Sequence, residues 1–133
     1  MHESKIGVHA GPEESRKLCA MLDRHHYRAI PFHTLDELTP AVRKEFCHAV
    51  ILDLDSLSVD NRFIRKLCKE NPGLRVIGTS GRRFHPELEE SMRTFISACL
   101  SKPVDEDELI YWLKSISGGE PGSRASPRKS LSD

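Results

Sequence analysis

The run VILDLD, residues 50–55, is a stretch of apolar residues that ends on carboxylates. A continuous apolar run of about four to eight residues is typical of a strand buried on both faces, as found in parallel sheets covered by helices. Asp53 then lies at the carboxyl end of such a strand. Because sites in open doubly wound sheets form just outside the carboxyl ends of the strands, Asp53 is the first candidate site residue.

Two further apolar runs end on polar side chains. RVIGTS, residues 75–80, carries Thr79 near its end, and FISACLSKP, residues 95–103, carries Lys102 and Pro103 at its end. Both runs are predicted to be strands, which places a hydroxyl and an ammonium group at strand ends. The sequence therefore offers three strand-end side chains of different chemistry.

The rest of the chain alternates strand and helix patterns. Strands are predicted over residues 5–10 and 27–32, and Pro31 indicates that the second of these lies at a sheet edge. Helices are predicted over residues 13–26, from Thr34 to residue 46, over residues 61–71, from Pro86 to Phe95, and from Asp105 to Ile116. Five strands alternating with five helices predict right-handed crossovers in a parallel sheet.

The length and charge of the chain limit the class of protein to which it can belong. The 133 residues, 38% of them hydrophobic, suit one small domain, predicted over residues 3–117. Residues 118–133, GGEPGSRASPRKSLSD, are predicted to be a flexible tail or linker. The 20 basic and 20 acidic side chains cancel, so neither nucleic acid nor a membrane is expected as a partner. With no membrane span or signal peptide in the sequence, we expect a cytoplasmic protein.

The cysteines show no metal-binding spacing. The four are scattered without a CxxC pair, and they are predicted to be reduced, mostly buried small hydrophobic residues: Cys19, Cys47, Cys68 and Cys99. No metal site is predicted from them.

Asp53, Thr79 and the Lys102-Pro103 pair, at these spacings, resemble the receiver domain of bacterial two-component response regulators. The resemblance covers roughly residues 6–116. It implies a flavodoxin-like (CheY-like) α/β fold, a three-layer doubly wound sheet of five parallel strands in the order 2-1-3-4-5. It also implies that Asp53 is the phosphoacceptor position, that Thr79 and Lys102 bind the phosphoryl oxygens, and that the three side chains converge with Lys102 close to Asp53.

The chain departs from the family pattern at several positions. His9 and Ala10 stand where the family has the acidic pair that holds Mg²⁺, and only Asp55 is left as a helper of Asp53. Cys99 replaces the Tyr or Phe of the family's switch, and Leu57 replaces a Pro. Because Mg²⁺ normally offsets the charge of the incoming phosphoryl group, we expect Mg²⁺-dependent phosphorylation to be weakened or lost. No cofactor is predicted.

Each retained residue also has a structural interpretation. Asp53 can persist as the ion-pair partner of Lys102, whose loss would leave a charge unpaired. Thr79 can cap or hydrogen-bond the following loop. His9 is interpreted as a turn residue or a neighbour of Asp53, and no catalytic residue is predicted.

Three classes of function follow. The favoured one is an atypical receiver, a signalling module that acts by protein–protein interaction and is not an enzyme. The second is a conventional receiver, phosphorylated at Asp53 by a histidine kinase. The third is a small flavodoxin-like enzyme that uses Asp53 as a nucleophile.

The expected partners are proteins: a histidine kinase, an output domain or an effector. A homodimer through the last two helices and the last strand is also predicted, because Tyr111 and part of Trp112 are expected on that face. The alternative is that Trp112 belongs wholly to the core. Because Cys99 replaces the switching ring, association is expected to be constitutive.

Overall fold

The computed structural model describes residues 4–56, 58–82 and 85–117. Strands and helices alternate along these residues. The strands are β1 (Lys5–His9), β2 (Arg28–Pro31), β3 (Ala49–Asp53), β4 (Arg75–Ser80) and β5 (Ile96–Ser101). The helices are α1 (Pro12–Arg24), α2 (Leu35–Glu45), α3 (Asn61–Glu70), α4 (Glu89–Thr94) and α5 (Glu106–Ser117), with a 3-10 turn over Pro86–Leu88 directly before α4.

The strands form one parallel sheet in the order β2-β1-β3-β4-β5. This confirms the predicted flavodoxin-like fold and the edge position of β2, where Pro31 pairs with Val8. The central strand β3 lies between β1 and β4, and its residues from Ala49 to Leu52 are fully buried. The sheet therefore presents the ends of β1, β3, β4 and β5 side by side at one edge.

Successive side chains of a strand point to opposite faces of the sheet, so the strands contribute to two separate cores. One face of the sheet packs on α2 and α3 and includes Val50, Leu52, Leu54, Val76, Leu38, Val42, Ile64 and Leu67. The other packs on α1 and α5 and includes Ile6, Val8, Ile51, Ile77, Leu18, Leu22, Leu109 and Leu113. These two cores make the three-layer architecture.

Side chains cap the helices where the sequence predicts caps. Thr34 Oγ1 accepts a hydrogen bond from the Glu37 amide at 3.2 Å, and Asp105 Oδ2 accepts one from the Glu108 amide at 2.9 Å. Such contacts satisfy the free N–H groups of a first helical turn. Pro40 lies inside α2, where it has no N–H to donate.

The helix predicted from Pro86 to Phe95 is wrong in detail, since it divides into the 3-10 turn and the short α4. The division coincides with bonds made by Asn61, in the first turn of α3. Asn61 Nδ2 donates to the Glu87 carbonyl at 3.0 Å. Asn61 Oδ1 accepts from the Ser91 amide at 3.1 Å and from the Ser91 hydroxyl at 2.6 Å. A side chain of α3 thus supplies the bonds at the start of α4.

The burial predicted for the cysteines holds in part. All four are free thiols, but only Cys47 is buried and Cys99 is exposed. Cys99 is exposed because β5 is an edge strand whose alternate residues point away from the core. Leu57 and the predicted tail over residues 118–133 lie outside the described residues. Within the described part, no helix is both long and apolar enough to cross a membrane.

Candidate functional site

The three strand-end residues occupy one edge of the sheet. Asp53 is the last residue of β3 and stands in register with Thr79 of β4. Lys102 follows β5 directly, and its amide donates to the Ser80 carbonyl at 2.9 Å, which fixes the end of β5 against β4. The parallel topology therefore brings together residues that are far apart in the sequence.

Lys102 bridges two carboxylates. Its Nζ lies 2.8 Å from Asp53 Oδ1 and 3.1 Å from Asp55 Oδ2. Burial alone would lower the pKa of Lys102, but the hydrogen bonds to Asp53 and Asp55 outweigh it and raise that pKa. The contact confirms the expected pair of Lys102 with Asp53, whereas the phosphoacceptor role of Asp53 stays a prediction. The Lys102-Pro103 peptide bond is cis.

Thr79 is fully buried beside Asp53, and its hydroxyl is unsatisfied. Its Oγ1 has no hydrogen-bond partner within the described part of the chain. The interpretation that Thr79 caps or bonds the following loop is therefore wrong for this arrangement. A buried hydroxyl without a partner carries a desolvation cost, which a hydrogen bond to a group placed against Asp53 would offset.

Asp55 is engaged more fully than the sequence suggests. Its carboxylate accepts from the Gly81 amide at 2.8 Å and from the Ser80 hydroxyl at 3.1 Å, in addition to the contact with Lys102. Partial burial alone would raise the pKa of Asp55, but these hydrogen bonds and the charge of Lys102 hold that pKa at about 2. Asp55 therefore stays ionised and bound to the loop after β4.

His9 ends β1 and is half-buried near Asp53. Burial lowers the pKa of His9, while the negative charge of Asp53 partly opposes that change. This agrees with the interpretation of His9 as a neighbour of Asp53. Its Nδ1 is buried without a hydrogen-bond partner among the described residues. Ala10 follows and offers no side-chain ligand.

The donors at this edge do not fit a Mg²⁺ site. Mg²⁺ takes oxygen ligands in near-octahedral geometry, mainly carboxylates and water. Here Lys102 contacts the carboxylates of both Asp53 and Asp55, and the side chains of His9 and Ala10 contain no oxygen. Over residues 4–56, 58–82 and 85–117, no three His, Cys, Asp or Glu side chains are grouped to hold a metal ion. The weakness of Mg²⁺ binding nevertheless stays a prediction.

A groove of about 860 Å³ opens beside Asp53. It runs between the turns that follow β1, β2 and β3, and its wall includes His9, Gly11, His33, Asp36, Asp53 and Lys66. Asp53 is thus reached through the groove, whereas Thr79 and Lys102 lie beyond its lining.

Cys99, which the resemblance places at the position of a switching ring, is exposed on β5. Local burial of its sulfur and the charge of Asp55 raise the pKa of this thiol. A thiol is much smaller than a phenyl or phenol ring, so Cys99 cannot fill the space that such a ring would occupy.

Sequence reasoning missed the residues that surround Asp55. Ser80, Arg82 and His85 are brought to this carboxylate by the turn after β4. Each is a polar residue in a segment rich in polar residues, which gave no periodic signal. The Ser directly after Thr79 and the His before Pro86 were the available signs.

Neither a protein-family model nor a curated protein sequence matches this chain. Solved structures do match. A CheY-like receiver domain protein from Methanospirillum hungatei has a TM-score of 0.74 at 18% identity, over 85% of this chain and 92% of that one. A two-component response regulator from Clostridium difficile has a TM-score of 0.74 at 14% identity, over 86% and 95%. The fold is that of a receiver domain.

A third match concerns a domain of a longer protein. The N-terminal domain of a response regulator/sensory box/GGDEF three-domain protein from Carboxydothermus hydrogenoformans has a TM-score of 0.72 at 13% identity, over 85% of this chain and 93% of that one. Identities of this size show a shared fold. The last of these matched structures is thus the N-terminal part of a longer protein.

Proposed function

We propose that this chain is an atypical receiver module of cytoplasmic signal transduction, which acts by binding other proteins rather than as an enzyme. Mg²⁺-dependent phosphorylation of Asp53 is weakened or lost. One observation carries the proposal: Lys102 already contacts both carboxylates of the site, while His9 and Ala10 contribute none. Lys102 therefore offsets only part of the charge that a metal ion would otherwise compensate.

The electrostatics of phosphoryl transfer explain the expected loss. A phosphoryl group carries about two negative charges toward an anionic acceptor, and a metal ion ordinarily neutralises part of that charge. At this site Lys102 supplies one positive charge against the two carboxylates of Asp53 and Asp55, while Arg82, whose Nε lies 3.7 Å from Asp55 Oδ1, is itself paired with Glu87. The local charge thus stays negative before any phosphoryl group arrives, which disfavours its approach.

Titration with Mg²⁺ and beryllofluoride, a phosphoryl mimic, tests the proposal. Amide NMR shifts of Asp53, Thr79 and Lys102 report binding, and Asp53→Asn is the control that lacks the acceptor. We expect no saturable shift in the natural chain. We expect the double variant His9→Asp, Ala10→Asp, which restores two carboxylates, to gain one. Saturable binding by the natural chain at millimolar Mg²⁺ contradicts the proposal.

A conventional phosphoacceptor is the second candidate, and the unpartnered hydroxyl of Thr79 favours it. A phosphoryl group on Asp53 would give that buried donor an acceptor. Incubation with acetyl phosphate and Mg²⁺ distinguishes the two candidates by intact mass. One added phosphoryl group, absent from Asp53→Asn, supports the second candidate, and an unchanged mass supports the first.

We propose that protein partners use the face formed by α4, β5 and α5. Tyr111 is 56% exposed there, and Trp112 is half-buried with its ring edge-on to Tyr111 at 5.4 Å. Aromatic side chains with exposed area often anchor interfaces. The partners are a histidine kinase, an output domain, an effector, or a second copy of this chain.

Sedimentation tests self-association through this face. We expect association that does not depend on acetyl phosphate and Mg²⁺, and that Tyr111→Ser weakens. Phe46→Ser is a matched control, because Phe46 is 84% exposed at the end of α2, away from this face. A shift from monomer to dimer only with the phosphodonor, or equal effects of both substitutions, contradicts the proposal.

A further inference from the structure

Asp55 holds the loop that follows β4. Its two oxygens accept from the Gly81 amide at 2.8 Å and from the Ser80 hydroxyl at 3.1 Å, and Arg82 Nε lies 3.7 Å from Oδ1. These contacts tie the end of β4 to the turn that leaves β3. Asp55 thus bonds both the loop after β4 and Lys102.

His85 completes this network from the far side of the loop. Its side chain is 1% exposed, and both ring nitrogens have partners. Nδ1 lies 2.7 Å from Arg82 Nη2 and 3.4 Å from Glu87 Oε2, and Nε2 contacts the Ser80 hydroxyl. A buried imidazole with both nitrogens bonded is held in one orientation.

The direction of the hydrogen bonds follows from the nearer partner of Nδ1, which is Arg82 at 2.7 Å rather than Glu87 at 3.4 Å. A guanidinium group only donates, so Nδ1 of His85 accepts from Arg82 and the ring proton lies on Nε2. Nε2 then donates to the Ser80 hydroxyl, which has its own hydrogen left for Asp55 Oδ1 at 3.1 Å or the Arg82 carbonyl at 2.9 Å. The result is a directed chain from Arg82 through His85 and Ser80 to Asp55.

Ser80 links this chain to the candidate site. It follows Thr79 directly, and its carbonyl accepts the Lys102 amide at 2.9 Å. The same residue therefore bonds His85 and Asp55 through its hydroxyl and positions Lys102 through its backbone. A displacement of Ser80 would move both Thr79 and Lys102 relative to Asp53.

We propose that His85 is a positioning residue, and that Asp55, Ser80, Arg82 and His85 form a loop lock that holds the end of β4 in one conformation. The lock commits Asp55 to the loop and keeps it from serving as a metal ligand. It also holds Thr79 and Lys102 in place whether or not Asp53 carries a phosphoryl group. This consequence rests on the proposed function. The device thus makes the module insensitive to a phosphodonor.

Amide hydrogen exchange measures the lock directly. The reporters are the amides of Gly81 and Arg82, which donate to Asp55 Oδ2 and Ser80 Oγ. His85→Phe keeps a buried ring but removes both bonds, and Ser80→Ala removes the hydroxyl that links His85 to Asp55. We expect each variant to speed exchange at both reporters at least about tenfold, with β1 unaffected. The exposed His33, changed in His33→Phe, is the control and should leave both reporters unchanged.

A spectroscopic readout on the natural chain keeps the proposal testable if a variant does not fold. Long-range ¹H–¹⁵N NMR should find the His85 ring proton on Nε2, with Nδ1 as a hydrogen-bond acceptor. A proton on Nδ1, or unchanged exchange at the two reporters in folded variants, overturns the lock. The proposed function fails by a different result, saturable binding of Mg²⁺ and beryllofluoride to the natural chain, so the two failures are distinguishable.

Discussion

Lys102 lies 2.8 Å from Asp53 and supplies a fixed positive charge to a carboxylate at the end of a buried strand. The side chains of the two residues are 23% and 17% exposed. Partial burial strengthens such a pair relative to a surface ion pair and makes the loss of one partner costly.

The substitution Lys102→Met should therefore destabilise the protein. We expect the free energy of unfolding to fall by about 2 kcal/mol, less than the ~3–5 kcal/mol of fully buried pairs. Lys114→Met, on the exposed side of α5, is the control and should change it by under about 0.5 kcal/mol. Urea denaturation measures both, and adding Asp53→Asn to Lys102→Met should recover part of the loss. Equal effects at the two lysines contradict this view of the pair.

The lowered pKa of Asp55 predicts that the stability of the protein depends on pH. Its pKa is about 2 in the folded chain against an ordinary value of 3.8, so ionised Asp55 stabilises the fold above about pH 4. That contribution is lost as the pH falls through about 2, and it amounts to about 1 to 2 kcal/mol. Denaturation measures the free energy of unfolding of the natural chain and of Asp55→Asn. The difference between the two values should shrink as the pH falls from about 6 to about 2.5. A constant difference is inconsistent with the depressed pKa.

Gly78 in β4 is packed against Leu54. A Cβ at residue 78 would lie 2.4 Å from Leu54 Cδ1 and 2.8 Å from Leu54 Cγ, while Leu54 itself is buried. Gly78→Ala should destabilise the fold by about 1 to 3 kcal/mol through overpacking. Gly11→Ala is the matched control, since nothing lies within 4 Å of a Cβ there. Thermal denaturation compares them, and equal midpoints would refute the packing argument.

Pro40 weakens α2. Inside the helix it cannot donate to the Asp36 carbonyl, and its ring crowds that oxygen. Pro40→Ala should stabilise the protein by about 1 to 2 kcal/mol, because the restored bond outweighs the greater entropy of the unfolded chain. Pro12→Ala is the control: Pro12 opens α1, where proline is favourable, and its loss should give no gain. A stabilising Pro12→Ala, or a destabilising Pro40→Ala, argues against this account.

The sheet order and the pairing of Lys102 with Asp53 were predicted from the resemblance to receiver domains. The residues alone are enough to predict the alternating strands and helices, the buried central strand and the strand-end positions of Asp53, Thr79 and Lys102. These features depend on apolar runs and on strand ends, both of which are local signals. The surroundings of Asp55 could not be predicted in the same way. They depend on where Ser80, Arg82 and His85 lie after β4, and no periodic pattern in the sequence encodes those positions. The division of the helix after Pro86 was missed because Asn61, distant in sequence, supplies its bonds.

The side-chain carboxamide of Asn61 links α4 to the groove beside Asp53. The six-residue α4 is too short to be stable alone, and its first turn depends on bonds from the first turn of α3. That turn of α3 also contributes Arg62 and Phe63 to the groove beside Asp53. An occupant of the groove that displaces this turn must break the bonds to Ser91 and loosen α4. By thermodynamic reciprocity, a protein that clamps α4 in place makes such an occupant bind more weakly, by the same factor.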